Sequence, residues 1–319
     1  MTQNMRVESF AFESATETGL IQARLYRPEG PPRFLIQVIH GMAEHMARYD
    51  GFCRFLTGQG HAVLIFDLPG HGQSAAGPDG LGYFGPRQGS RRVLDDVAAA
   101  LDQARQTVPD APCVLFGHSM GSFIARLVCA RSGGRYAGAI FSGTSGRNPA
   151  VLPGLALANL TGWLGGPQRP NDFLARLMAA GQLDRIDKPR TPVDWLSRDE
   201  TIVDAYVADP LCGFTFTSAG YRDLLTWLHL VSQPDWAKQV PQSLPMLLLS
   251  GGDDPIGQYG AGPHSVREQL LANGRKADLK LYPGGRHEML NEVNRDQVWQ
   301  DIAAWLDRLE SQKEGHKPA

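Results

Sequence analysis

The chain has 319 residues, of which 42% are hydrophobic and 20% are charged, as in a folded globular protein rather than a disordered one. Its formal net charge is −2 and its basic residues are scattered, which argues against nucleic acid as a partner. The four cysteines form neither a C-x-x-C pattern nor any other metal-ligand spacing, so no metal site is predicted.

Neither a targeting signal nor a membrane span is predicted. The N-terminal segment "MTQNMRVESFAFES" lacks the apolar core of a signal peptide. The longest apolar stretch, "AVLPGLALANLTGWLGG", is interrupted by Pro153, Asn159 and several glycines and is too short to cross a bilayer. We therefore expect a cytoplasmic protein without a transmembrane segment. Transient contact with a membrane surface is compatible with this expectation.

The first half of the chain alternates predicted strands with predicted helices. The segments "VESFAF" and "IQARLYRP" alternate polar and apolar residues, as strands with one exposed face do. Four apolar runs follow that are typical of strands buried on both faces: "RFLIQVIHG", "HAVLIFDLPG", "APCVLFGHS" and "AGAIFSG". Helical spacing of apolar residues predicts helices over 51–60, 88–107 and 120–130 between them.

From about residue 145 to 240 the pattern changes to prolines, tryptophans and mixed helical segments without a buried strand. This region is predicted to be a helical insertion that packs over the sheet, shapes a substrate pocket, or does both. Leu155, Leu160 and Trp163 are candidate substrate-binding residues, because they could line an acyl-chain tunnel or touch a lipid surface. Packing of the insertion onto the body explains them equally well.

The strand and helix alternation resumes with "LPMLLLSGGDD", a helix over 263–273, "ADLKLYPGGRH" and a helix over 294–310. The sequence therefore predicts an α/β protein with a mostly parallel eight-stranded sheet covered by helices on both faces. Residues 1–144 and 241–310 are predicted to form the core. Residues 145–240 are predicted to form a helical cap inserted after the sixth strand, and residues 311–319 a flexible tail.

The stretch "GHSMG" places Ser119 on a sharp turn between a predicted strand and a predicted helix. A serine hydroxyl needs an adjacent base to become a nucleophile, and the base needs a group that orients it. Asp253 or Asp254 follows a later strand, and His287 follows the last one. The order of serine, acid and histidine along the chain is that of the α/β-hydrolases.

Other histidines and acids near strand ends compete for these roles. His40, His71 and His118 do not follow the acid in chain order, so His287 is preferred as the base. We expect His40 to brace the loop after it and His118 to point away from the serine. Asp67 precedes the serine, which is the wrong order, and is predicted to stabilise a loop.

An acyl-transfer site also needs donors for the oxyanion that forms when a hydroxyl attacks a carbonyl. In this fold they are the backbone N–H after the nucleophile, here Met120, and an N–H in the loop after an earlier strand. Met42, in the stretch "VIHGMAEH", is the choice for the second donor.

Five stretches resemble the monoglyceride lipase and lysophospholipase branch of the α/β-hydrolase superfamily, also described as the serine aminopeptidase group: "HGMAEHMARYD", "FDLPGHGQS", "GHSMGS", "SGGDDPIG" and "YPGGRHEMLNE". The resemblance covers about residues 20–310, with a divergent middle. It implies a capped eight-stranded sheet, Ser119 as nucleophile, His287 as base and hydrolysis of carboxylic esters. The family's G-x-x-D pattern, counted from Gly251, favours Asp254 over Asp253 as the acid.

The same resemblance includes the pattern H-G-x-x-E-H-x-x-R-Y, which Glu44 and Arg48 match. They are predicted either to form a charge pair that holds the oxyanion loop or to be an ordinary exposed pair at a helix start.

The sequence thus favours a serine ester hydrolase that forms an acyl-enzyme and needs no metal or organic cofactor. The favoured substrate is a lipid ester with one acyl chain, such as a monoacylglycerol or a lysophospholipid. One alternative is an aminopeptidase or amidase on the same triad, for which acidic residues of the cap would bind a substrate amine: Asp194, Asp199, Glu200 and Asp204. The other is a non-catalytic binding protein that retains the fold. No oligomeric state is predicted.

Overall fold

The protein is built around one sheet, and its computed structural model describes residues 5–314. The eight strands are β1 (Arg6–Glu13), β2 (Leu20–Arg27), β3 (Leu35–Ile39), β4 (Ala62–Phe66), β5 (Cys113–His118), β6 (Gly138–Ser142), β7 (Met246–Gly251) and β8 (Ala277–Tyr282). Their spatial order is β1-β2-β4-β3-β5-β6-β7-β8. β2 pairs antiparallel with β1 and β4, and every other pairing is parallel. The predicted fold class is confirmed.

The strands from β3 to β7 are buried at every residue, as their uninterrupted apolar runs predict. The edge strand β1 instead alternates exposed and more buried positions. Because six adjacent strands (β4, β3, β5, β6, β7 and β8) are parallel, their carboxyl ends meet at one edge of the sheet. This edge, called the C-terminal edge below, receives the loops after all six strands.

Ten helices cover the sheet within the described residues: α1 (Asp50–Gly58), α2 (Gly89–Thr107), α3 (Met120–Ser132), α4 (Val151–Gly165), α5 (Asp172–Ala179), α6 (Glu200–Ala208), α7 (Ser218–Ser232), α8 (Trp236–Gln239), α9 (Ala261–Ala272) and α10 (Arg295–Glu314). Apolar residues of α1 and α10 form one buried cluster on one face. Those of α2, α3, α7 and α9 belong to the cluster on the other face.

The segment 143–245, which connects β6 to β7, is called the insertion below and contains α4 to α8. Its helix α7 carries Trp227, which is fully buried and donates its indole N–H to the carbonyl of Ser90 at 2.6 Å. α4 packs in turn on α7. The limits 145–240 for a cap stay a prediction, because apolar residues of α7 belong to the same buried cluster as those of the sheet, α2 and α3.

Arg126 of α3 bonds to two points of the insertion that are far apart in sequence. Its guanidinium donates to the carbonyls of Ser145 at 3.0 Å and Val231 at 2.7 Å and lies 4.2 Å from the ring centroid of Trp236. Burial without a carboxylate partner lowers the pKa of Arg126 to about 9.

The C-terminal helix is longer than predicted. α10 continues to Glu314, so residues 311–314 are helical rather than part of a tail, and the other predicted tail residues lie outside the described range. The helix continues because extending an existing helix fixes one residue per added bond, whereas starting one is costly. Within residues 5–314, no helix combines the length and apolarity that crossing a bilayer requires.

Candidate active site

Ser119 lies in the turn between β5 and α3 in a backbone conformation that is unusual for a residue with a side chain, with φ 51° and ψ −120°. The two flanking glycines explain the tightness of the turn. A Cβ atom at Gly117 would overlap the carbonyl of Gly121, and one at Gly121 would overlap that of Ile39. The turn therefore needs both glycines, and it leaves Ser119 half-buried at the C-terminal edge of the sheet.

Asp254 and His287 form a buried pair at the same edge. Asp254 follows β7, His287 follows β8, and Oδ1 of the aspartate lies 2.9 Å from Nδ1 of the histidine. Burial opposes charge on both groups, but their mutual attraction prevails: it lowers the pKa of Asp254 and raises that of His287. Asp253, the other candidate acid, is exposed and makes no such contact.

One short segment, Ser142 and Gly143, lies beside both Ser119 and His287. The N–H of Ser119 donates to the carbonyl of Ser142 at 2.9 Å, at the end of β6. The next residue, Gly143, has φ 59°, and a Cβ atom there would lie 2.9 Å from Cε1 of His287. Serine, histidine and aspartate thus converge on one edge through neighbouring strand ends.

His118 does not point away from this region, and that expectation is wrong. Its ring centroid lies 4.8 Å from that of His287, and its Nδ1 is 3.4 Å from the hydroxyl of Ser142. The strained turn begins after His118, so its side chain still follows the direction set by β5. Burial, followed by the charge of His287, lowers the pKa of His118 to about 4, which leaves it neutral at pH 7.

The loop after β3 offers a backbone donor beside the serine. The N–H of Gly41 donates to Glu44, and that of Ala43 to Nε2 of His71. Within residues 5–314 no acceptor is found for the intervening N–H of Met42. Met120 is the first residue of α3, where an N–H group has no partner in its own helix.

Glu44 and Arg48 are a buried charge network and not an exposed pair. Glu44 accepts hydrogen bonds from the N–H of Gly41 at 2.5 Å, the hydroxyl of Tyr49 at 2.7 Å and Arg48 at 2.7 Å. Arg48 also donates to both carboxylate oxygens of Glu288, the neighbour of His287. Burial favours a neutral Glu44, but Arg48 and then His118 and His40 outweigh it, so the pKa of Glu44 is lowered.

The other polar residues of these loops are structural. As predicted, His40 braces the loops, since its Nε2 accepts the N–H of Leu68. Asp67 accepts the N–H groups of Met46 and Gln73. Nε2 of His71 accepts the N–H of Ala43, a contact that no local sequence pattern marks.

One further group has potential metal ligands: within residues 5–314, ligand atoms of His45, Asp209 and Cys212 lie within 4.8 Å of one another. Nε2 of His45 is 2.8 Å from Asp209, which is a hydrogen-bond distance. Two ligands of a tetrahedral zinc ion would be roughly 3.3 Å apart. In this arrangement the pair is a hydrogen bond between the insertion and the loop after β3.

The structure separates the three candidate substrate-binding residues on α4. Leu155 is half-buried and packs against the core, whereas Leu160 and Trp163 face outward, Trp163 with 80% of its surface exposed. Contact of Leu160 or Trp163 with a substrate would therefore occur at the outer surface. Their role in binding stays a prediction.

Comparison with known proteins agrees with this geometry. A profile of the family described as "Serine aminopeptidase, S33" matches residues 30–294. The chain belongs to this family of α/β-hydrolases. Human monoglyceride lipase is 30% identical over 301 residues, which cover 89% of this chain and 86% of that protein. The monoacylglycerol lipase of Mycolicibacterium smegmatis is 28% identical over 88% of this chain and 91% of its own.

A solved structure extends the similarity to the whole fold. The thermostable carboxyl esterase from Bacillus coagulans, in complex with glycerol, superposes with a TM-score of 0.91 at 31% identity, covering 96% of this chain and all of that one. The chain is therefore a hydrolase of the esterase and lipase type.

Proposed function

We propose that the protein is a serine carboxylic-ester hydrolase that works through an acyl-enzyme. The observation that carries the proposal is the buried pair of Asp254 and His287, which lies at the same sheet edge as Ser119. A buried aspartate that accepts from Nδ1 leaves Nε2 as the ring nitrogen available to a hydroxyl.

In the proposed reaction, Oγ of Ser119 attacks the ester carbonyl while His287 takes the hydroxyl proton. Asp254 holds the imidazole in the required tautomer and stabilises the imidazolium. The N–H groups of Met42 and Met120 donate to the oxyanion; removal of one such donor costs about 2.7–4 kcal/mol in other hydrolases. His287 then protonates the leaving alcohol, and water repeats the sequence to release the carboxylic acid and free Ser119.

For the substrate we propose a lipid ester with a single acyl chain, a monoacylglycerol or a lysophospholipid. The support is the set of exposed large apolar side chains on α4 and α5, called the apolar patch below: Leu152, Leu160, Trp163, Leu164, Phe173 and Leu177. α4 carries no charged residue. Such a surface is suited to transient contact with the lipid phase from which a single-chain ester is drawn.

An aminopeptidase activity has less support, because the acids of the insertion already have partners. Asp194 accepts the N–H of Arg190 and the hydroxyl of Thr191. Asp199 pairs with Arg295, and Glu200 and Asp204 both pair with Arg190. A substrate amine would have to compete with these internal bonds.

The test is covalent labelling with a fluorophosphonate. We expect stoichiometric labelling of the folded protein, its loss in Ser119→Ala, and retention in the neighbouring control Ser122→Ala, whose serine bonds within the turn. Absence of labelling in the folded protein would favour the non-catalytic alternative.

The substrate class needs a second measurement. A series of p-nitrophenyl esters, monoacylglycerols, lysophospholipids and amino-acid nitroanilides should give the highest kcat/KM on single-chain lipid esters. A preference for short acyl groups would overturn the proposal of a lipid substrate but not that of an esterase. Cleavage of nitroanilides in preference to esters would favour the aminopeptidase alternative.

A further inference from the structure

The insertion contributes a side chain directly to the surroundings of His287. The indole of Trp195 and the imidazole of His287 have their centroids 5.0 Å apart, with 42° between the ring planes. Trp195 is half-buried and belongs to the insertion, whereas Ser119, Asp254 and His287 lie outside it.

The position of Trp195 is fixed by its main chain. Its carbonyl accepts the N–H of His287 at 3.3 Å, and the carbonyl of Leu196 accepts the N–H of Glu288 at 2.7 Å. The insertion is thus hydrogen-bonded to the very residue whose ring it covers.

The residues around this contact extend the attachment. Residues 194–199, called the strap below, all bond to the segment 286–295 that carries the histidine. Arg286 donates to the carbonyls of Asp194 and Ser197, and Arg198 and Asp199 form ion pairs with Glu292 and Arg295. Because every residue of the strap is engaged, the main chain that carries the indole cannot move away from the histidine without breaking several bonds.

An aromatic ring close to an imidazole has an electrostatic consequence. The electron-rich face of an indole attracts a cation whose centre lies within about 6 Å of the ring centroid. His287 becomes a cation when it accepts the proton of the serine. The indole therefore favours the form of the ring that exists in the transition state.

We propose that Trp195 is a positioning residue that holds the imidazole of His287 and stabilises its protonated form during turnover. This inference rests on the proposed function, in which His287 is the base. It makes the insertion part of the catalytic centre and not only a cover over it.

The other charged and titratable groups around His287 act at the same time. Asp254, Glu288 and Glu44 favour its protonated form. Arg48 offsets part of the negative charge of the two glutamates, and His118 is neutral at pH 7 because its pKa is about 4. The contribution of Trp195 must therefore be measured as a difference against this fixed background.

The experiment is an NMR titration of the His287 ring nitrogens, assigned with His287→Gln, together with the pH profile of kcat/KM on p-nitrophenyl acetate. Trp195→Leu should lower the pKa of His287 by about 0.5–1 unit and kcat/KM about three- to tenfold. Val207→Ala, which changes an exposed apolar residue of the same insertion, should leave the pKa of His287 and kcat/KM on this small, soluble ester unchanged.

A second measurement avoids dependence on the folding of Trp195→Leu. Tetrafluorotryptophan placed at position 195 keeps the shape of the indole and withdraws its π electrons, so the pKa of His287 should again fall. An unchanged pKa in a folded Trp195→Leu protein, or with the fluorinated ring, overturns the proposal. Because the titration needs no turnover, it remains readable even if the protein proves not to hydrolyse esters.

Discussion

Both carboxylate oxygens of Glu288 accept hydrogen bonds from the guanidinium of Arg48, at 2.7 and 2.6 Å. Arg48 follows β3 and Glu288 follows β8, so the pair joins the loop of the proposed oxyanion donor to the loop of the proposed base. Glu44, which holds the N–H of Gly41, binds the same arginine. Two parts of the candidate site therefore share one buried cation.

Glu44→Gln should reduce kcat by about one to two orders of magnitude. Whichever way the amide turns, its nitrogen would face a donor, either Arg48 or the N–H of Gly41 and the hydroxyl of Tyr49, and the loop with Met42 would shift. Asp102→Asn, which removes a carboxylate from an exposed pair with Arg135, is the matched control and should retain wild-type turnover. Wild-type turnover in Glu44→Gln would remove the bracing role.

The pH dependence of kcat/KM should report the pair of Asp254 and His287. The reaction needs a neutral imidazole, and the pKa of His287 is raised above its ordinary value of 6.5. Activity should thus rise with pH through a midpoint above 6.5. Asp254→Asn should lower this midpoint and reduce kcat by about 10⁴-fold, whereas Asp253→Asn, in the exposed neighbour, should change neither. Equal effects of the two substitutions would contradict the assignment.

Gly143→Ala should impair catalysis with little loss of folded structure. The new methyl group would lie 2.9 Å from Cε1 of His287 and push the ring from its place. The control is Gly77→Ala: Gly77 also has a positive φ, 75°, but nothing lies within 4 Å of its Cβ position. If both variants lose the same activity, backbone strain and not displacement of the ring is the cause. Circular dichroism and kcat on a soluble ester are the measurements.

Acid should destabilise the protein partly through His61, which is buried with no hydrogen-bond partner for either ring nitrogen among residues 5–314. Burial, followed by the charge of Arg33, lowers its pKa to about 4. The unfolded state then binds the proton more tightly, so this contribution to stability is complete above about pH 6.5 and is lost as the pH falls towards 4, by about 3 kcal/mol at most.

His61→Leu should therefore match or exceed wild-type stability at pH 7 and lose less of it at pH 4.5, as measured by urea unfolding. His264→Leu replaces an exposed histidine and is the control for the general effect of removing a histidine. A His61→Leu protein as sensitive to acid as the wild type would contradict this explanation.

The apolar patch predicts a difference between soluble and membrane substrates. Trp163→Ser with Leu164→Ser should reduce binding to phospholipid vesicles and kcat/KM on vesicle-embedded monoacylglycerol about tenfold, because two large apolar side chains no longer enter the lipid. Activity on a soluble short-chain ester should be retained. The control Leu271→Ser changes an exposed leucine of α9, and comparable loss in that variant would argue against a specific patch.

The sequence predicted what local pattern and chain order encode. The strands followed from apolar runs or, for β1 and β2, from the alternation of polar and apolar residues, and the candidates Ser119 and His287 from their positions after strands. The contact of Arg48 with Glu288 joins residues 240 positions apart, and no local pattern marks it. The contact of Trp195 with His287 could not be predicted either, because the sequence of the divergent insertion does not show which of its residues lie against the sheet.

Two other outcomes have local physical reasons. α4 is apolar around its whole circumference, so its sequence does not tell whether Leu160 and Trp163 face the core or solvent. The direction of His118 depends on where the strained turn begins, and the turn begins only after His118, which is still the last residue of β5.

Arg126 recognises the insertion through two main-chain oxygens, those of Ser145 and Val231, and not through any side chain between them. Every amino acid presents that same oxygen. Substitutions between the two anchor points therefore leave these two bonds intact as long as the main chain keeps its course. The attachment by Arg126 selects the path of the insertion and not its side chains, so residues outside the strap and the core can change without weakening it.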